Sequence, residues 1–225
     1  ESSREHYPEP EKVLLTGTPV REEFLFAKRQ EARQALGLGE EPLVVSCWGS
    51  LGAREMNKKI AQFMKCECEE NTPFHHIHAT GSFGWRWMPE YVKELGVDLA
   101  AHPRIDMREY IYDMPQVLAA ADLIVCRAGA ATIAEVCASG TPCIMVPSPN
   151  VTGNHQEKNA RVLERSGAAA VVREADCDGK SLYETAKAIL SDAGRMRAMR
   201  ASARDMAVVD AAERIYQTAL DLAKH

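Results

Sequence analysis

Apolar and polar positions follow two rhythms along the chain. Short apolar runs sit at Leu43–Cys47, His75–Ala79, Arg104–Met107, Leu123–Cys126, Cys143–Val146 and Ala169–Val172. Between them lie stretches of helical period, at Arg54–Lys65, Met88–Leu95, Met114–Ala120, Thr132–Ser139, His155–Arg165 and Ser181–Leu190. Strand-length runs alternating with helical ones predict βαβ units in a parallel sheet. Right-handed crossovers then place helices on both faces. The expected fold class is α/β, a Rossmann-like, doubly wound parallel sheet over residues 42–190.

The two ends read differently. Residues 1–41 hold a Pro-rich opening, the turn Thr18-Pro19-Val20-Arg21 and a polar helix ending near Gly37 and Gly39. They form an N-terminal arm. Residues 191–225 read as helical throughout, a C-terminal helical tail. Val208, Ala212, Ile215, Ala219 and Leu222 recur there as one apolar stripe, which must pack on something. Arg195, Arg197, Arg200 and Arg204 precede it. With Asp192, Asp205 and Asp210 flanking them, they predict a solvated face rather than a lipid-binding one. There is no internal repeat.

Composition mainly removes function classes. The 225 residues are 46% hydrophobic and 26% charged, which is ordinary for a globular chain. No apolar run is long enough to span a membrane. The net charge of −5 lacks the basic footprint of a nucleic-acid binder, so no nucleic-acid partner is expected. Seven cysteines, an odd number, in a chain large enough to build its own core read as reduced thiols in a cytoplasmic compartment. The polar start, Glu1 to Glu11, has neither an initiator Met nor a signal core. It reads as a cut inside a longer protein.

Candidate chemistry lies just after the strands. Cys47-Trp48-Gly49-Ser50-Leu51-Gly52-Ala53 is a glycine turn between a strand and a helix. It reads either as a sterically tight turn or as an anion site built from backbone N–H groups and the Ser50 hydroxyl. Arg127-Ala128-Gly129-Ala130-Ala131-Thr132-Ile133-Ala134-Glu135 brings small residues to a helix mouth, where Thr132 can cap and donate. Glu135 is either an acid favoured by the helix dipole or a carboxylate that accepts from a ribose diol. After Cys143–Val146, a turn-rich loop leads into His155-Gln156-Glu157-Lys158-Asn159-Ala160. Gln156 and Asn159 share a helix face and offer amides suited to sugar hydroxyls, while Asn154 and Glu157 fit a capping box. All three sites fall at the carboxyl ends of strands, where open α/β sheets hold ligands. Neither a Walker loop nor the dinucleotide glycine fingerprint is present.

Gly49-Ser50-Leu51-Gly52-Ala53, His78-Ala79-Thr80-Gly81, Tyr110-Ile111-Tyr112-Asp113-Met114, the 127–135 stretch and the 155–160 stretch resemble, in that order, the MurG-type transferases. Those enzymes are peptidoglycan N-acetylglucosaminyltransferases of the two-domain GT-B fold. Thr18-Pro19-Val20-Arg21 resembles the turn that opens their second domain, which makes residues 1–41 an interdomain linker remnant. The resemblance covers residues 12–190 and implies one half of a GT-B enzyme, the half that binds UDP-N-acetylglucosamine. It implies that Arg21 and Ser50, with Gly49 and Gly52, lie by the donor diphosphate. Ile111 contacts the uracil, and Ala130, Ala131 and Thr132 present the helix mouth. Glu135 binds the ribose, and Gln156 with His155 reads the sugar hydroxyls. Trp48 replaces a glycine of the usual loop, Thr18 an asparagine, and His155 stands where an amide is common.

The resemblance also implies that the acceptor site and general base lie on an N-terminal domain absent from these residues. No catalytic residue is assigned in this chain, and it is expected to bind donor but turn over little or nothing. Implied partners are that missing domain and a lipid-linked muramyl-pentapeptide acceptor, met at the inner face of the bacterial membrane. No cofactor and no obligate metal are implied. A UDP-N-acetylglucosamine 2-epimerase, a diacylglycerol glycosyltransferase and a non-catalytic nucleotide-sugar-binding subunit are the competing readings. Cys66-Glu67-Cys68 reads as a surface loop after a helix rather than a metal site. His76 and His78 point the same way from a strand and read as packing residues. Trp85 and Trp87 read as half-buried anchors in a loop.

Overall fold

The computed structural model describes residue 4 and residues 7–224. The first three residues, residues 5 and 6 and His225 lie outside the description, so the reading of the extreme start is only partly covered. The strands are β1 (Leu43–Cys47), β2 (His75–Ala79), β3 (Ile105–Arg108), β4 (Leu123–Cys126), β5 (Cys143–Met145) and β6 (Ala169–Val171). They form one parallel six-stranded sheet in the order β3-β2-β1-β4-β5-β6. The strand order reverses between β1 and β4, which opens a crevice at their carboxyl ends.

Each central strand feeds both layers, because successive side chains point to opposite faces. Leu43, Val45, Ile124, Cys126, Cys143 and Met145 enter one core. Val44, Leu123, Val125, Ile144 and Val146 enter the other. The helices are α1 (Glu23–Phe26), α2 (Arg29–Ala35), α3 (Arg54–Glu70), α4 (Ser82–Trp85), α5 (Met88–Glu94), α6 (Met114–Ala120), α7 (Ala130–Ser139), α8 (His155–Ser166), α9 (Gly179–Leu190), α10 (Ala193–Asp205) and α11 (Ala211–Ala223). The first core is closed by residues of α1, α2, α6, α7, α8 and α10, the second by α3, α5, α9 and Met199 of α10. The doubly wound expectation therefore holds.

Three expectations along the chain are corrected. α3 does not stop at Lys65. Cys66, Glu67 and Cys68 lie in its last turns rather than in a loop. Glu67 continues the inward stripe of Met56, Ile60, Phe63 and Met64, and it is buried because His76 lies within 2.9 Å of its carboxylate. The tail is not helical throughout. It breaks at residues 206–210, where Val208 packs over Gly17 of the arm. Past the break, the stripe finds no cover among the described residues: Ile215 and Leu222 are exposed, and Ala211 is the buried residue of α11. The short helix α4 replaces the predicted loop. Within that region Trp87 is the half-buried anchor, against Tyr91 and under Arg54, while Trp85 is exposed.

The basic face of α10 is only partly solvated. Arg195 and Arg197 face solvent, but Arg200 turns inward toward Asp122 at the amino-terminal end of β4. Arg29 and Arg33 of α2 reach the same carboxylate, at 2.5 and 3.2 Å. Arm and tail thus also meet on one carboxylate, at the end of the sheet away from the crevice. No helix among the described residues is long and apolar enough to cross a membrane.

Candidate functional site

The crevice holds a cavity of about 410 Å³. Its floor is made of Cys47 and Ala79, the last residues of β1 and β2, with Ile124 of β4. Gly49 and Ser50 form one wall. Tyr110, Ile111 and Tyr112 form another, and Thr132 and Glu135 come from α7. Arg21 enters from the arm. Of the residues singled out from the sequence, Arg21, Gly49, Ser50, Ile111, Thr132 and Glu135 therefore share one cavity.

The glycine turn is held open toward this space. Gly49 takes a left-handed φ of 83°, and the Gly52 N–H donates to the Gly49 carbonyl at 3.1 Å. The Ser82 N–H donates to the Ser50 carbonyl at 3.0 Å, and the Phe83 N–H to that of Leu51 at 3.3 Å. The N–H groups of Ser50 and Leu51 donate to nothing among the described residues. Ser50 lines the cavity, and free backbone donors in a turn beside a crevice can make an anion site. Trp48 does not disturb the turn. Its ring is buried on the other face of the sheet, with the Arg127 guanidinium 5.6 Å from its centroid. Arg127 itself is engaged, donating to the Val146 carbonyl and paired with Glu174 at 2.6 Å, so it does not serve the cavity.

At α7 the cap is Gly129, with no side-chain hydrogen bond, so Thr132 does not cap the helix as expected. Glu135 lies beyond the first turn, where the helix dipole has little effect. The dipole reading of Glu135 therefore loses its basis. Burial pushes the Glu135 carboxyl above the ordinary carboxylate range, and the charge of Arg21 opposes that shift. Arg21 makes no ion pair among the described residues; its guanidinium lies over Phe24, 5.3 Å from the ring centroid. A cation and a carboxylate thus face one cavity without neutralising each other by contact.

Other predicted residues sit outside the cavity lining. Gly52 is packed on Thr80 and serves the turn itself. Ala130 and Ala131 are exposed at the α7 mouth, where the first-turn N–H groups have no side-chain cap. At α8 the expected capping box is absent. Asn154 adopts a left-handed φ of 52° and makes no side-chain cap bond, while Glu157 pairs with Arg161. Exposed His155 uses Nδ1 on the Thr152 carbonyl at 2.9 Å. Gln156 accepts from the Ser148 N–H at 2.9 Å, and Asn159 donates to the Ala128 carbonyl at 3.2 Å. These two amides brace the loops that follow β4 and β5. With its oxygen engaged, Gln156 keeps its NH₂ group free to donate.

The residue reading missed Tyr110 and Tyr112 as cavity walls. Their rings meet edge to face at 4.9 Å, and Tyr112 is 83% exposed. The aromatic–aliphatic–aromatic triplet before α6 was the available signal. It also missed a buried chain under α3. Ser46 Oγ lies 2.7 Å from His76 Nε2 and from His78 Nδ1, and His76 Nδ1 lies 2.9 Å from Glu67. All four residues are buried, which keeps substrate out, so the packing reading of the two histidines holds. Burial, with His76 beside it, lowers the basicity of His78 and keeps it neutral.

The sequence pattern described as the glycosyltransferase family 28 C-terminal domain matches residues 43–215, a span that contains the sheet and most of the cavity wall. The chain belongs to this family. This family 28 domain is similar to the UDP-N-acetylglucosamine–N-acetylmuramyl-(pentapeptide) pyrophosphoryl-undecaprenol N-acetylglucosamine transferase of Acetivibrio thermocellus. They are 38% identical over 99% of the chain and 59% of that enzyme. The enzyme of the same name from Caldanaerobacter subterraneus subsp. tengcongensis is 41% identical over 96% of the chain and 58% of its own length. Among solved structures, MurG of Acinetobacter baumannii superposes with a TM-score of 0.69 at 25% identity, covering 89% of the chain and 56% of MurG. The domain thus spans less than two thirds of the relatives it matches.

Proposed function

We propose that the cavity binds UDP-N-acetylglucosamine and that the domain is the donor-binding half of an inverting N-acetylglucosaminyltransferase of peptidoglycan synthesis. The observation that carries the reading is the convergence of Arg21, Ser50, Ile111, Thr132 and Glu135 on one cavity at the reversal of strand order. Arg21, the free N–H groups of Ser50 and Leu51 and the uncapped mouth of α7 supply donors for a diphosphate. During transfer they stabilise the charge that develops on the leaving UDP, an electrostatic contribution to catalysis. Glu135 accepts from the ribose hydroxyls, Ile111 borders the uracil, and Gln156 with His155 reads the sugar. The acceptor, a lipid-linked muramyl-pentapeptide, and the general base belong to a further domain of the intact enzyme, working at the inner face of the membrane. The names of the relatives support this assignment.

Calorimetric titration with UDP-N-acetylglucosamine, UDP-galactose and UDP tests the reading. Glu135→Ala is expected to weaken every uridine nucleotide by about 10- to 100-fold, since it removes hydrogen bonds to a charged acceptor. Gln156→Ala is expected to weaken UDP-N-acetylglucosamine by about tenfold and leave UDP unchanged. A preference for UDP-galactose would overturn the assigned donor.

The reading also sets a pH dependence. Only ionised Glu135 is acceptor-only, so donor binding favours the deprotonated form. Because burial raises its pKa in the free domain, affinity is expected to fall at a higher pH than for an ordinary carboxylate as the solution is acidified. Binding on that limb releases protons. Titrations in two buffers of different ionisation enthalpy measure the release, and Glu135→Gln is expected to abolish it. Proton uptake on that limb would reverse the assignment.

A further inference from the structure

Asn57 is fully buried in the first turns of α3, among Met56, Ile60 and Ala61. Its Nδ2 donates to the Thr80 carbonyl at 2.7 Å, and its Oδ1 is buried with no partner among the described residues. A buried amide oxygen without a donor is costly, and an apolar side chain would fill this inward position without that cost. What the amide does is local. It holds the turn after β2, and that turn holds the glycine turn after β1. Gly81 lies so close to Gly52 that an added Cβ would stand 2.1 Å from the Gly52 nitrogen. The next two N–H groups, of Ser82 and Phe83, grip the carbonyls of Ser50 and Leu51. Gly84 closes the junction from the other side, because a Cβ there would lie 2.3 Å from Asn57 Nδ2.

We propose that Asn57 is the positioning residue of the anion-binding turn: through Thr80, Gly81 and Ser82 it sets the Ser50–Leu51 donors in place before ligand arrives. The inference rests on the reading of the cavity as a nucleotide-sugar site and adds the element that organises its diphosphate end. A turn held in its bound conformation loses less freedom on binding, so the gain falls on the phosphates and not on the nucleoside.

The test is the affinity difference between UDP and uridine for this chain. In Asn57→Leu and Asn57→Ala, UDP is expected to weaken by about tenfold while uridine stays within about twofold. The Ser50 hydroxyl rides on the turn that Asn57 positions, so removing it with Ser50→Ala is expected to cost less in the Asn57→Leu background, a non-additive cycle. Hydrogen exchange on the unsubstituted chain gives a readout independent of whether the variants fold. The Ser82 and Phe83 amides are expected to be protected without ligand. Equal loss of UDP and uridine, additivity with Ser50→Ala, or protection that appears only with UDP overturns the positioning role. If the unsubstituted chain binds neither UDP nor uridine, the nucleotide reading of the cavity fails and the role falls with it. If that chain binds UDP and the Asn57 variants bind it equally well, the role alone fails.

Discussion

Gly81→Ala is expected to lower stability by about 2–5 kcal/mol, adding the left-handed backbone penalty to that of overpacking. Gly81 has φ of 74°, where a side chain is strained whatever the space around it. Its missing Cβ would also meet the backbone of the neighbouring turn, 2.4 Å from the Leu51 carbonyl carbon and 2.5 Å from the Gly52 Cα. Backbone cannot rotate away as a side-chain tip can, so the two turns must separate. Gly96→Ala is the control. Gly96 has a φ of 82° but nothing within 4 Å of an added Cβ. It isolates the backbone penalty, about 1–2 kcal/mol. Urea midpoints of the two variants measure the difference. Equal midpoints would mean that the crossing of the two turns is loose. The Ser82–Ser50 bond lies in the same crossing, so any folded Gly81→Ala protein is also expected to lose UDP affinity.

Asp122→Ala is expected to cost about 3–4 kcal/mol, the lower part of the range for breaking a buried ion pair from one side, because the node is partly exposed. Three arginines reach this carboxylate, from α2 and from α10. Its Oδ2 also accepts the Leu43 N–H at 2.9 Å, at the start of β1. Without it, Arg33 and Arg200, both largely buried, face each other and Arg29 with no counter-charge. Burial and the nearby Arg29 already depress the Arg200 pKa, and Asp122 is the group that opposes them. Arg29→Ala removes the most exposed partner and is expected to cost under about 1 kcal/mol. A drop in urea midpoint for Asp122→Ala no larger than for Arg29→Ala would show that the node does not tie arm and tail to the sheet. Asp122→Asn, which keeps an acceptor for Leu43, is expected to fall between the two.

Much of the fold is legible in the chain because strand patterning is a local property. β1, β2 and β4 begin and end where their apolar runs do, β3 shifts by one residue, and β5 and β6 end one residue early. The candidate residues of the β1, β3 and β4 loops also meet, because a parallel sheet brings all its carboxyl ends to one edge. The misses have a common cause: each turns on a partner outside the element that carries the residue. Glu67 looks like a helix-ending surface acid until His76 is placed beside it. Val208 fits the helical stripe until Gly17 of the arm offers it a seat. Gln156 and Asn159 read as ligand amides, and their second task, bracing the neighbouring loops, shows only once those loops are placed. Tyr112 is ordinary in sequence and becomes a cavity wall only once β3 and α6 place its loop beside the glycine turn.

The sequence by itself determined the layered α/β architecture, the strand count, the edge of the sheet that carries chemistry and the family motifs, since period, composition and glycine turns act over a few residues. Tertiary structure decided which donors remain free, which way Arg127 and Arg200 turn, and how Asn57 grips a turn outside its own helix. Those outcomes depend on hydrogen-bond partners and close backbone approaches between segments far apart in the chain. A buried polar atom takes whichever partner the folded neighbours leave open, and no local pattern specifies that choice.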